Sequence, residues 1–180
     1  LQESAPPMTD SPEPDPKDPQ PRRPAEPRIA NLTLDQGSVL AWSPQVEHER
    51  KVAIFDLLEQ NHFVPLGVES EGPFDLLLSI QDNRLYFDIS ETGGRQLTRI
   101  TLPIAPFRGI VKDYFMICES YFSAIKSQSP SQIEAIDMGR RGIHNEGSEL
   151  LRDRLEGKVE LDLDTARRLF TLLCVLHIRQ

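Results

Sequence analysis

"FDLLLSIQDNRLYFDISETGGRQLTRITLP", residues 74 to 103, is where the hydrophobic period changes from helical to twofold, and that change decides the fold class. Phe74, Leu76, Leu78 and Ile80 alternate with Asp75, Ser79 and Gln81, and Leu85, Phe87 and Ile89 repeat the pattern. Successive side chains of a strand point to opposite faces, so this spacing predicts strands with one apolar and one wet face. Asp82-Asn83 suits a tight hairpin, and "ETGG" at 91 to 94 opens a third strand. The stretch reads as a three-stranded antiparallel meander.

Upstream, "WSPQVEHERKVAIFDLLEQNHF" begins with Ser43 as a helix N-cap and Pro44 at the first helical position. Glu47 and Glu49 sit at the positive end of the helix dipole, while Val46, Ala53, Ile54, Leu57 and Leu58 form an apolar stripe. "PLGVESEGP" is its exit loop, and before the helix Ile29, Leu32 and Leu34 mark a short edge strand. Downstream, "PFRGIVKDYFMICESYFSAIKS" has the aromatic content of a central buried helix. Ser129-Pro130 with Gln132 predicts a capping box, and Asp162 or Asp164 caps a last helix through "TARRLFTLLCVLH". The expected architecture is α+β: a small antiparallel meander sheet packed with an N-terminal helix and three C-terminal helices. No internal repeat stands out.

Residues 1–27, "LQESAPPMTDSPEPDPKDPQPRRPAEP", are dominated by Pro and charge. They cannot bury enough apolar area to offset their ordering entropy, so they are expected to be a disordered acidic tail. A single domain is then expected over 28–180. Met8 is a plausible start, and no secretory signal is recognised. The longest apolar run, "LFTLLCVLHI", is too short for a bilayer, so the expected setting is cytoplasmic, with no membrane. A net charge of −8 makes nucleic acid an unlikely partner. Cys118 and Cys174 lie in apolar helical patterns without paired spacing and are expected to be buried, reduced thiols.

The chemistry-bearing stretch is "AIDMGRRGIHNEGSELLRDRLEGK", residues 135 to 158. On a helical wheel Ile133, Ile136, Ile143, Leu150 and Leu151 make an apolar stripe that contains Gly147. Beside it run Asp137, Arg140, Arg141, His144 and Ser148, with Asn145 and Glu146 adjacent. Spacings of three and four make them neighbours on one surface. Guanidinium groups offer forked donors to carboxylate or phosphate, and histidine can move a proton near neutral pH. An ordinary solvated ion pair, with the glycines serving packing or breaking the helix in two, explains the same residues. If the helix runs through Gly147, a mild Ala and a severe Leu are expected there. The second basic pair, Arg167-Arg168, can face the first if the last helices pack antiparallel; a solvated face is the simpler expectation.

No zinc-protease, phosphate-loop, nucleophile-elbow or dinucleotide motif occurs. Helical ribonucleases of the HEPN type separate Arg and His by more than the three residues between Arg140 and His144. His48, His62 and His177 offer no ligand set, so no metal and no cofactor are expected.

Together, "VEHERKVAIFDLLEQNHF", "FRGIVKDYFMICESYFSAI", "SQIEAIDMGRRGIHNEGSELLRDRLEGKVELD" and "DTARRLFTLLCVLH" resemble the uncharacterised protein family 0262, small cytoplasmic proteins of alphaproteobacteria. The resemblance spans about Arg28 to His177 and implies a bacterial setting, but no activity. The function expected from the residues is a non-catalytic interaction or regulatory module. Its polar surface would bind an unknown protein partner or a small anionic ligand. The alternative is an enzyme acting on an anionic small molecule through His144 with Arg140 or Arg141.

Overall fold

The computed structural model describes residues 26–35 and 43–177. The expectation of a disordered tail therefore lies, up to residue 25, outside the described residues. The chain runs through β1 (Ile29–Leu34), α1 (Pro44–Glu59), β2 (Phe63–Pro65), β3 (Phe74–Gln81), β4 (Arg84–Glu91) and β5 (Gln96–Pro103). A 3-10 turn (Ala105–Phe107) leads into α2 (Arg108–Ser127), α3 (Pro130–Leu155), β6 (Val159–Leu161) and α4 (Leu163–His177). The fold is α+β.

The meander forms as its alternation predicts, with β3 pairing β4 and β4 pairing β5, both antiparallel. Asp82 and Asn83 both adopt positive φ, as a two-residue hairpin matched to strand twist requires. The N-terminal strand is indeed at the sheet edge, but it pairs parallel to β3, which makes the four-stranded sheet mixed. Asn61 stands in for a strand on its backbone. Its Oδ1 accepts from the Ile29 N–H at 2.7 Å, and its Nδ2 donates to the carbonyls of Ile29 (2.9 Å) and Leu57 (2.8 Å). One side chain thus joins the end of α1 to β1. A second, two-stranded sheet of β2 and β6 fills out the architecture. Each strand has only three residues, too few to show a period.

The helix starts follow local chemistry. Ser43 caps α1, Ser129 and Gln132 form a reciprocal capping box on α3, and Asp162 Oδ1 accepts from the Thr165 N–H at 3.0 Å. The helix α3 continues unbroken through Gly139, Gly142 and Gly147. The central buried helix, however, is α4 and not α2. α2 buries Val111, Tyr114, Cys118 and Ala124 and exposes Met116, Phe122 and Ile125, whereas α4 buries every residue from Leu172 to Leu176. α4 packs on both α1 and α3 and reaches β3, so it needs apolar groups on most of its surface; α2 packs on α3 and keeps an outer face. Phe63, Phe74, Phe87, Phe107 and Phe170 anchor one apolar cluster that joins sheets and helices. Cys118 and Cys174 are both buried free thiols. Among the described residues no helix is long and apolar enough to cross a membrane.

Candidate functional site

Because α4 lies between α1 and α3, its polar edge is flanked by both. It meets the polar edge of each neighbour along a cleft of about 380 Å³. From α3 come Arg140, Arg141 and His144; from α4, Arg167, Arg168 and Thr171; from α1, His48, Glu49 and Asp56, with Val52 and Ala53 between them. Tyr114 of α2 closes one side.

The edges of α3 and α4 are written in the same residues. "DMGRRGIH", 137 to 144, and "DTARRLFT", 164 to 171, both read Asp-x-x-Arg-Arg-x-x followed by a hydrogen-bonding side chain. Offsets of three, four and seven place all four polar groups on one helix face. The two last members meet: His144 Nε2 lies 2.8 Å from Thr171 Oγ1. The Thr171 hydroxyl also lies 3.2 Å from the Arg167 carbonyl, to which it can donate. It is shared between that carbonyl and the ring, and the direction of the His144 bond follows the imidazole tautomer. The ring also packs 5.3 Å from Tyr114 and 5.3 Å from Phe170, centroid to centroid. Burial, reinforced by Arg167, Arg140 and Arg168, lowers the His144 pKa to about 4. His144 is therefore neutral at physiological pH.

The two arginine pairs differ in how well they are partnered. Asp137 Oδ1 accepts from Arg140 at 3.0 and 2.7 Å, and its Oδ2 lies 2.9 Å from Arg141. The Arg140 hydrogen bond is the main reason the Asp137 carboxyl titrates below its ordinary range. On α4 the ion pairs are long: Arg167 to Asp164 at 3.6 Å, and Arg168 to Asp56 at 3.8 Å. Arg167 Nε is buried with no hydrogen-bond partner among the described residues. Opposite them Glu49 is half-buried, and that burial raises its pKa against the opposing pull of Arg140 and His48.

Of the residues singled out from sequence, Arg140, Arg141 and His144 line the cleft and Asp137 holds the two arginines. The other three lie elsewhere. Ser148 is fully buried and donates to the His144 carbonyl at 2.7 Å, a helix-internal bond. Glu146 is exposed, and Asn145 has a buried, unpartnered Oδ1 outside the cleft lining. Sequence reasoning missed Glu49, Asp56, Tyr114 and Thr171, and treated Arg167-Arg168 as a solvated face. The Asp-x-x-Arg-Arg repeat, 27 residues apart, was the available signal. Among the described residues no group of three or more His, Cys, Asp and Glu converges as a metal site would require.

The model of the uncharacterised protein family UPF0262 matches residues 26–179. A UPF0262 protein of Rhodospirillum rubrum is 60% identical over 151 residues, covering 84% of this chain and 92% of that protein. One from Caulobacter vibrioides is 59% identical over 152 residues, covering 84% and 94%. One from Rhizobium meliloti is 60% identical over 152 residues, covering 84% and 95%. No solved structure matches the chain.

Proposed function

The chain belongs to the uncharacterised protein family UPF0262, and from its cleft we propose that it acts as a non-catalytic binding or regulatory module whose ligand is a small anion. The observation that carries the reading is Arg167. Among the described residues its Nε is buried without a partner, and its nearest carboxylate, Asp164, is 3.6 Å away and mostly exposed. A buried donor left unmade costs about 1–3 kcal/mol, more on a charged group, and a carboxylate or phosphate would recover it with forked hydrogen bonds. Arg168 beside it is held no more tightly. A cytoplasmic setting belongs to the same proposal and is supported by the two buried free thiols.

An enzyme using His144 as acid or base is the weaker proposal. A general base works best with a pKa near the working pH, and a group at about 4 holds too weakly to a proton at neutral pH. The test is calorimetric titration of the wild-type chain and Arg167→Gln with inorganic phosphate, nucleotides and sugar phosphates. At least one anion should bind the wild type, and the variant should lose about tenfold or more in affinity. Equal affinity in both chains would remove the cleft from consideration.

A further inference from the structure

We propose that the ligand is a short zwitterion, with its anionic group on Arg167 and Arg168 and an ammonium group on Glu49. The inference rests on the anion-binding reading above and adds a second charge to it. Along α1, Glu49 and Asp56 are seven residues apart, about 10 Å of helix axis. They mark two ends of the cleft. Asp56 faces Arg168 at 3.8 Å, whereas the cation that acts on Glu49 from across the cleft is Arg140.

The two ends are alike in residue type and opposite in what they lack. At the Glu49 end, both guanidinium groups are already satisfied by Asp137, at 2.7 and 2.9 Å. Glu49 itself makes no hydrogen bond or ion pair with any described residue, although it is half-buried. At the other end the arginines are the groups left short, with partners at 3.6 and 3.8 Å and a buried, unpartnered Nε. The unmet groups are therefore one carboxylate and one guanidinium pair. Between them lie neutral or apolar residues, His144, Thr171, Tyr114, Val52 and Ala53, which suit an uncharged spacer. A dianion would bring its second charge against Glu49. A simple amine would bring its charge against the arginines. A molecule with an ammonium and a carboxylate several ångströms apart, of ω-amino-acid or short-peptide length, offends neither end.

The experiment is a titration at fixed ionic strength with 6-aminohexanoate and tri-alanine, their anion-only analogues hexanoate and N-acetyl-tri-alanine, the cation-only hexylamine, and inorganic phosphate. The zwitterions should bind about tenfold or more tighter than the single-charge analogues, the size of one charge-assisted hydrogen bond. Glu49→Gln should bring each zwitterion down to the affinity of its anion-only analogue. If the anion-only analogues, or phosphate, bind as tightly as the zwitterions in the wild type, the inference is overturned and the anion-binding reading stands. If nothing in the set binds, the inference is overturned, and the anion-binding reading falls only if nucleotides and sugar phosphates also fail to bind. Should Glu49→Gln fail to fold, the comparison of free with acetylated tri-alanine on the wild-type chain decides the matter.

Discussion

At the scale of the residue, His144 concentrates what the cleft can do and what it costs. Burial and three arginines hold its pKa at about 4 in the folded chain, against an ordinary 6.5. As pH falls, the unfolded chain takes up the proton first, so the stability contributed by neutral His144 is complete above about pH 6.5 and is lost as pH falls toward 4. At 1.36 kcal/mol per unit, the wild type should lose up to about 2 kcal/mol by pH 5 through this group. His177 shifts in the same direction, so the wild-type slope alone does not isolate His144. Urea midpoints for the wild type and His144→Gln, measured from pH 7.5 to 5, separate them: the difference between the two chains should narrow as pH falls, and a constant difference would show that His144 protonates freely. The wheel had placed this histidine beside the two arginines correctly, because spacing along one helix is a local property. Its bond to Thr171 depends on a second helix and could not be read locally.

At the scale of the element, α3 shows how one residue type serves different purposes along a single helix. Gly142 has nothing within 4 Å of where a Cβ would lie, whereas at Gly147 a Cβ would overlap the ring of Phe170. The sequence-based expectation of a mild Ala at 147 allowed for a packed neighbour but not for how close it comes; the Phe170 ring makes even one methyl too large. Gly142→Ala should stabilise the chain by up to about 1 kcal/mol through helix propensity. Gly147→Ala should destabilise it by about 1–3 kcal/mol, and Phe170→Leu should recover part of that loss in the double variant. Thermal melts of the three variants check the contrast, and equal effects at 142 and 147 would contradict the close approach of α4. Elements announced by local chemistry were legible: Ser43-Pro44, Ser129 with Gln132, and Asp82-Asn83 each fix a cap or turn within a few residues. What was not legible depended on neighbours distant in sequence. β1 pairs with a strand some 45 residues on, Asn61 completes its edge, and α4 takes the central place expected of α2.

At the scale of the whole molecule, the cleft exists only because three helices from opposite ends of the sequence share one core. Its basic half on α3 was visible as a row, but the matching row on α4 and the carboxylates on α1 acquire meaning only once α4 sits between them. The same kind of long-range tie holds the residues at the expected tail boundary to the fold. Glu26 and Pro27, on the tail side of the boundary expected from composition, are hydrogen-bonded into it: the Glu26 N–H donates to the Glu71 carbonyl at 3.2 Å, and the Pro27 carbonyl accepts from the Phe63 N–H at 2.8 Å. The match to the family also starts at residue 26. Composition identified the Pro-rich character of this segment but carries no information about single backbone bonds. Phe63 is fully buried, so removing its acceptor strands a donor that water reaches poorly. Deleting residues 1–25, whose Pro-rich, charged composition offers few apolar groups to a core, should leave the unfolding free energy within about 0.5 kcal/mol of the intact chain. Deleting residues 1–27 should cost about 1–3 kcal/mol more, the penalty of a buried amide left unpaired. Paired urea melts of the two truncations read the difference directly. Identical midpoints would mean that Glu26 and Pro27 add nothing and that the fold begins at Arg28, whereas a large loss from the shorter deletion would mean that residues before 26 also contribute to the core.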